Sequence, residues 1–116
     1  LRWELHRVHV VEAKLKPTAR HVYKKRVYYI DEDSWGVAMV DQYDNRGELW
    51  RVSLALLKNY YELPGTWTAG DIYHDLQSHR YSVNGIYSEE RKAPFFTDKV
   101  PNVRYFKPSS LRRRAR

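Results

Sequence analysis

Aromatic and β-branched residues alternate with polar ones along short segments of this chain, a period of two that marks half-buried strands. Residues 2–13 (RWELHRVHVVEA) and 22–31 (VYKKRVYYID) are both of this kind, and Lys16-Pro17-Thr18-Ala19 between them predicts a turn and an antiparallel pair. Asp31-Glu32-Asp33-Ser34 is a polar turn ahead of a strand from Trp35 to Tyr43, and Asp44-Asn45-Arg46-Gly47 is a hairpin turn into a strand from Glu48 to Ser53. Strand-like runs follow at Tyr60 to Leu63, Asp71 to Gln77 and Arg80 to Ile86, broken by Pro64-Gly65 and Ser78-His79, with Asn84-Gly85 as a local turn signal. The pattern predicts an antiparallel, mainly β meander of about seven strands with little helix. Helix is expected where Pro108-Ser109-Ser110 precedes a single turn from Leu111 to Arg114. Leu54 to Asn59 (LALLKN) has helical composition inside a strand-like run, and both readings stay open there.

Alternation also assigns faces. In residues 35–43, Trp35, Val37, Met39 and Tyr43 share one face with Asp41, while Gly36, Ala38 and Val40 make a small apolar face opposite. In residues 22–31, Lys24 and Arg26 lie with Val22, Tyr28 and Ile30, and Tyr23, Val27 and Tyr29 lie with Lys25. Both faces are therefore expected to meet something, and a small meander has two free edges besides, so the chain reads as incomplete alone. No internal repeat divides it: residues 1–111 are expected to form a single antiparallel β unit, and 112–116 a flexible basic tail.

Composition narrows the chemistry. The 116 residues include no cysteine, which removes disulfides, thiolate metal sites and a cysteine nucleophile. The longest apolar stretches, Val37 to Val40 and Leu54 to Leu57, fall far short of the roughly 20 residues of a membrane-spanning helix. The chain opens Leu1-Arg2-Trp3 without an initiator Met or a signal peptide, as expected of a processed or truncated product. The net charge of +7 is uneven: +6 over residues 1–30, −4 over 31–63, +1 over 64–111 and +4 in Arg112, Arg113, Arg114 and Arg116. Such a tail offers an electrostatic contact for phosphate, but the acidic middle interrupts any continuous track, so nucleic acid is not the favoured partner.

Five histidines invite a test for metal or acid–base roles. His6 and His9 are three apart, which puts them on opposite faces of a strand, and His21, His74 and His79 sit near turns or among tyrosines. A closed site would need residues brought together from afar. Asp31, Glu32 and Asp33 offer oxygens without the spacing or glycine of a calcium loop. Nucleophile-elbow, phosphate-loop and dinucleotide motifs are missing too, so no catalytic residue, metal or cofactor is expected. The stronger signal is aromatic: four Trp and ten Tyr supply broad amphipathic surface suited to an apolar ligand or an interface.

The segments VVEAKLKPTARHVYKKRVYYIDEDSW (10–35), DQYDNRGELWRVS (41–53), NYYELP (59–64) and YHDLQSHRY (73–81), with the ending FKPSSLRRRAR, resemble a bacterial domain-of-unknown-function family that is itself similar to outer-membrane lipoprotein-sorting proteins (LolA/LolB-like). Members of that family are longer, and this chain looks like their C-terminal portion. The resemblance implies a strongly curved antiparallel sheet, an unclosed half-barrel with helices over its apolar concave side, in a periplasmic or outer-membrane-associated protein. It further implies ligand handling without catalysis: a carrier for lipid or another hydrophobic small molecule, beside an envelope transporter. The expected lining is Tyr29, Trp35, Val37, Met39, Trp50, Val52 and Leu54, chosen because they share strand faces. A homodimer through sheet edges is expected to replace strands that this portion lacks. The alternatives are a protein–protein interaction module of an envelope export system and, less favoured, nucleic-acid binding through Arg112 to Arg116.

Overall fold

The computed structural model describes residues 3–87, 90–92, 96–99 and 101–115. Its strands are β1 (Val8–Lys14), β2 (Lys25–Asp31), β3 (Val37–Tyr43), β4 (Leu49–Tyr60), β5 (Gly65–Asp75) and β6 (Arg80–Asn84). They form one antiparallel sheet in which neighbours in sequence are neighbours in space, β1 through β6, and the two end strands do not meet to close a barrel. The expected open, mainly β meander is the observed fold.

There are six strands where about seven were expected. Tyr60 to Leu63 is no strand of its own, because β4 runs on to Tyr60 and residues 61–64 turn the chain into β5. Leu54 to Asn59 is extended. From Ala55 to Tyr60 it pairs along β5, and that ladder overrides a helical composition. β6 stops at Asn84 because Gly85 takes a left-handed φ of 74°.

Three register shifts, between Tyr29 and Ile30, Gln42 and Tyr43, and Ala55 and Leu57, bend the sheet. The β2–β3 turn is fixed by Asp31, whose carboxylate accepts from the Ser34 N–H at 2.9 Å and its hydroxyl at 2.5 Å. That turn leaves Trp35 with a left-handed φ of 55°, a costly conformation for a bulky residue.

Very little of the chain is inside anything. Tyr60, at 7% exposure, is the single buried apolar side chain among the described residues. Its hydroxyl meets that of Tyr87, and the Phe96 ring stands edge-on at 5.0 Å, so these two residues beyond β6 return over this one end of the sheet. Gly70 permits that return: a Cβ there would lie 3.0 Å from Ile86 Cγ1 and 3.1 Å from the Asn84 carbonyl oxygen. A 3-10 turn, Val103–Phe106, and helix α1 (Pro108–Arg114) pack on each other and on none of the strands. Arg112, Arg113 and Arg114 make the last turn of α1, and Arg114 lies 3.2 Å from the centre of the Tyr105 ring.

The accessible surface is 10451 Å². A compact monomer of this mass exposes about 6,700 Å². The radius of gyration, 18.1 Å, likewise exceeds the roughly 13 Å of a compact chain of this length. A surplus of roughly 3,700 Å² is several times what one partner contributes to a standard protein interface. The sheet is a single layer, and neither the 3-10 turn nor α1 packs over it.

Candidate functional site

Pairing across the sheet sorts the side chains into two faces of different chemistry. One row runs Val10, Tyr29, Met39, Leu54, Ile72 and Val83, each opposite the next across all six strands. The adjacent row on the same face is Glu12, Val27, Asp41, Val52, His74 and Tyr81. Period two along β4 adds Leu56, then Lys58, whose ammonium lies 4.9 Å from the centre of the Tyr60 ring, and reaches Tyr60, where Tyr87 and Phe96 cap that end. At the other end this face turns polar: Glu12 pairs with Lys14 at 2.9 Å and Lys25 at 3.6 Å, and the Lys25 ammonium sits 4.0 Å from the Tyr43 ring centre. The Tyr29 hydroxyl donates to Asp41 at 2.9 Å. That hydrogen bond to a carboxylate, with some desolvation, raises the phenol's pKa and keeps it neutral.

The opposite face carries Val11, Tyr28 and Val40 over β1–β3 and a polar network over β3–β5. Gln42 Nε2 donates to Ser53 Oγ at 3.1 Å, and Arg51 donates to Asp75 at 3.0 Å and to the Tyr23 hydroxyl at 2.9 Å. Asp75 is held down to about 2, first by the Ser78 backbone N–H and then, against desolvation, by Arg51 and Ser78. The Tyr23 hydroxyl and Asp75 in turn raise Arg51 above its ordinary value. An open depression of about 500 Å³ lies here, lined by Gln42, Arg51, Ser53, Tyr73, Asp75 and Arg80 among others. Its walls are occupied with one another's charges.

Against this geometry the expected lining divides. Tyr29, Met39, Val52 and Leu54 stand together on the apolar face, all half-buried. Trp50 belongs to the other side. The register shift between Leu49 and Arg51 leaves it outside the regular pairing, and its indole N–H donates to Asp75 at 3.0 Å, beneath the Arg51 guanidinium at 4.1 Å. Val37 is opposite Ile30 rather than in register with Met39, because the shift at Tyr29/Ile30 breaks the alternation. Trp35 precedes β3 in the turn, 72% exposed, stacked on His9 with ring centres 5.2 Å apart. Sharing one parity in the sequence does not make these three share a face.

Ile72, Val83, Val10 and Leu56 complete the apolar stripe and were not singled out from sequence. Val10, Ile72 and Val83 carry the same period two inside the expected strands, and Leu56 lies in LALLKN, where helical composition hides it. His6 and the acidic run that holds Asp31 and Asp33 are far apart in the sequence; the fold brings one ligand atom from each of the three to within 4.8 Å of the others.

Residues 1–112 match the family described as "Protein of unknown function (DUF1329)", and the chain belongs to that family. It is 46% identical over 111 residues to "Uncharacterized protein PA3922" of Pseudomonas aeruginosa, across 96% of this chain and 24% of that protein. The chain thus spans about a quarter of the length of that relative. Among solved structures, the crystal structure of a domain described as an outer membrane lipoprotein-sorting protein from Vibrio parahaemolyticus is similar, with a TM-score of 0.55 and 22% identity, over 66% of this chain and 32% of that one. The second likeness is one of fold. Family and fold agree with the resemblance read from the sequence.

Proposed function

We propose that this chain is the sheet of a non-enzymatic carrier domain located in the bacterial envelope, periplasmic or outer-membrane-associated, that holds lipid or another hydrophobic small molecule against its apolar face. One observation carries the reading: a continuous apolar row crosses six strands and has cover only at the Tyr60 end among the described residues. The fold shared with a lipoprotein-sorting domain supports it, since an open sheet of this kind leaves room for cargo between sheet and cover. Burying that row releases water at about 25 cal/mol per Å² of apolar surface, a force that selects for apolarity and not for a particular head group. Tyr29, Met39, Val52 and Leu54 form the proposed lining, with Ile72 and Leu56 beside them.

The test is to purify the full-length protein natively from an envelope fraction and extract it for mass spectrometry. A stoichiometric apolar species supports the carrier. An empty extract from folded, envelope-located protein overturns it in favour of the second reading, an interaction module whose uncovered row and free edges at β1 and β6 bind a protein such as an envelope transporter or a second copy.

A further inference from the structure

His6, in the extended segment before β1, and Asp31, at the end of β2, are 25 positions apart, yet the imidazole Nδ1 lies 2.9 Å from the carboxylate Oδ1. Asp33, two residues on in the β2–β3 turn, supplies a third atom, so one nitrogen and two carboxylate oxygens gather within 4.8 Å of one another. We propose that His6, Asp31 and Asp33 form a binding site for a divalent first-row transition-metal ion, with Zn²⁺ the best match, which pins residues 3–7 to the β2–β3 turn.

The spacing supports this. Ligands about 2.0–2.2 Å from a metal and at right angles stand about 3 Å apart, and at the tetrahedral angle about 3.4 Å. The 2.9 Å between His6 and Asp31 is a hydrogen bond whose proton a bound ion would release to solvent, and the spacing then suits two neighbouring ligands. Asp31 is also held in place before any ion arrives: it is 5% exposed, and its Oδ2 is engaged by the Ser34 N–H and hydroxyl, which leaves Oδ1 directed at His6. Asp33 is exposed, so it can close on an ion without opening the fold.

A second, independent feature lies behind the imidazole. The other ring nitrogen of His6, Nε2, is 3.6 Å from a Glu4 carboxylate oxygen. A carboxylate behind the ring is the usual outer partner of a metal-bound histidine, where it fixes the tautomer and raises the ring's basicity. The imidazole nitrogen also sets the class of ion, because calcium and magnesium take oxygen ligands. Three protein ligands leave the remaining positions to water or to a group from elsewhere.

Such an ion would tie down the turn that carries the strained Trp35, which already leans on β1 through His9. It would close a loop between residues 6 and 31 in the folded state, and binding to that state alone raises stability by mass action.

The experiment uses the full-length protein stripped with a chelator and titrated calorimetrically with Zn²⁺, then Mn²⁺ and Ca²⁺. The expected result is one Zn²⁺ equivalent abolished or weakened by more than roughly tenfold in both His6→Gln and Asp33→Asn, a smaller loss in Glu4→Gln, and no Ca²⁺ uptake at that site. Zn²⁺ should also raise the melting temperature of the parent protein and not that of Asp33→Asn, whose exposed position leaves the metal-free fold intact. If Zn²⁺ is not taken up, or if uptake is the same in His6→Gln and Asp33→Asn, the site is an imidazole–carboxylate contact only and the proposal fails. A failed carrier test leaves this result untouched, since no lining residue takes part.

Discussion

The two faces of the sheet are made by the same six strands and differ in what they still lack. On one, Arg51, Asp75, Tyr23, Gln42 and Ser53 satisfy one another's hydrogen bonds, so the β3–β5 part of that face can stand in water as it is. On the other, Tyr29, Met39, Leu54 and Ile72 form an apolar row with no polar group to offer water apart from the Tyr29 hydroxyl, which Asp41 already accepts. A sheet that faced solvent on both sides would carry polar side chains on both. The difference makes the apolar face the one that gains more from cover, and the Tyr60 end shows what cover looks like where the chain supplies it.

The largest effect that should separate the faces comes from one charge on each. In the full-length protein Leu54→Asp should abolish retention of an apolar ligand and destabilise the fold by several kcal/mol, since a carboxylate would be buried without a partner. Its chain neighbour Ser53→Asp, on the polar face, should keep the ligand and shift stability by less than about 1 kcal/mol. Equal losses in the two variants, by bound-ligand stoichiometry and denaturant unfolding, would break the comparison.

Tyr60→Ala should cost about 3 kcal/mol, because it empties the one place among the described residues where the apolar face is packed. Tyr60→Phe, which loses only the hydroxyl contact to Tyr87, should cost about 1 kcal/mol. Gly70→Ala comes next, at about 1–2 kcal/mol, since its Cβ would meet the Asn84 carbonyl at 3.1 Å and Ile86 at 3.0 Å. Its signature is faster amide exchange confined to residues 84–87, with the polar face unchanged.

The smallest effect is a pH dependence of the polar face. Asp75 is held at about 2, below its ordinary 3.8, so its ionised form stabilises the fold above that ordinary value. The contribution is lost as pH falls through 3.8 toward 2. Acid titration of the parent protein against Asp75→Asn should show a shallower loss of stability over that window in the variant. Identical curves would show that the Arg51–Asp75 link carries no stability.

Much of this fold was legible because alternation is a local signal. The hairpin turns at Asp31–Ser34 and Asp44–Gly47 and the antiparallel order need nothing beyond neighbours in sequence. The length of β4 was not legible, since LALLKN becomes a strand only by pairing with β5. The register shifts were equally hidden. One extra residue at Tyr29/Ile30 moves Val37 out of step with Met39, and another at Gln42/Tyr43 turns Trp50 toward Asp75. Tyr29, Met39, Val52 and Leu54 were placed together because no shift falls between them in the rows they share. His6 with Asp31 and Arg51 with Asp75 are meetings across 25 and 24 positions, which no local pattern announces.

The absence of cysteine from this chain permits the most direct test. Cysteines introduced one at a time at Met39 and at Ser53, one on each face, in the full-length protein with any cysteine outside this chain replaced by serine, can be alkylated before and after extraction of bound apolar molecules. The account predicts that Met39→Cys is protected in the native preparation and becomes reactive on delipidation, while Ser53→Cys reacts at the same rate in both. Equal and unchanged rates at the two positions would contradict it, for then the apolar row would hold nothing that can be removed.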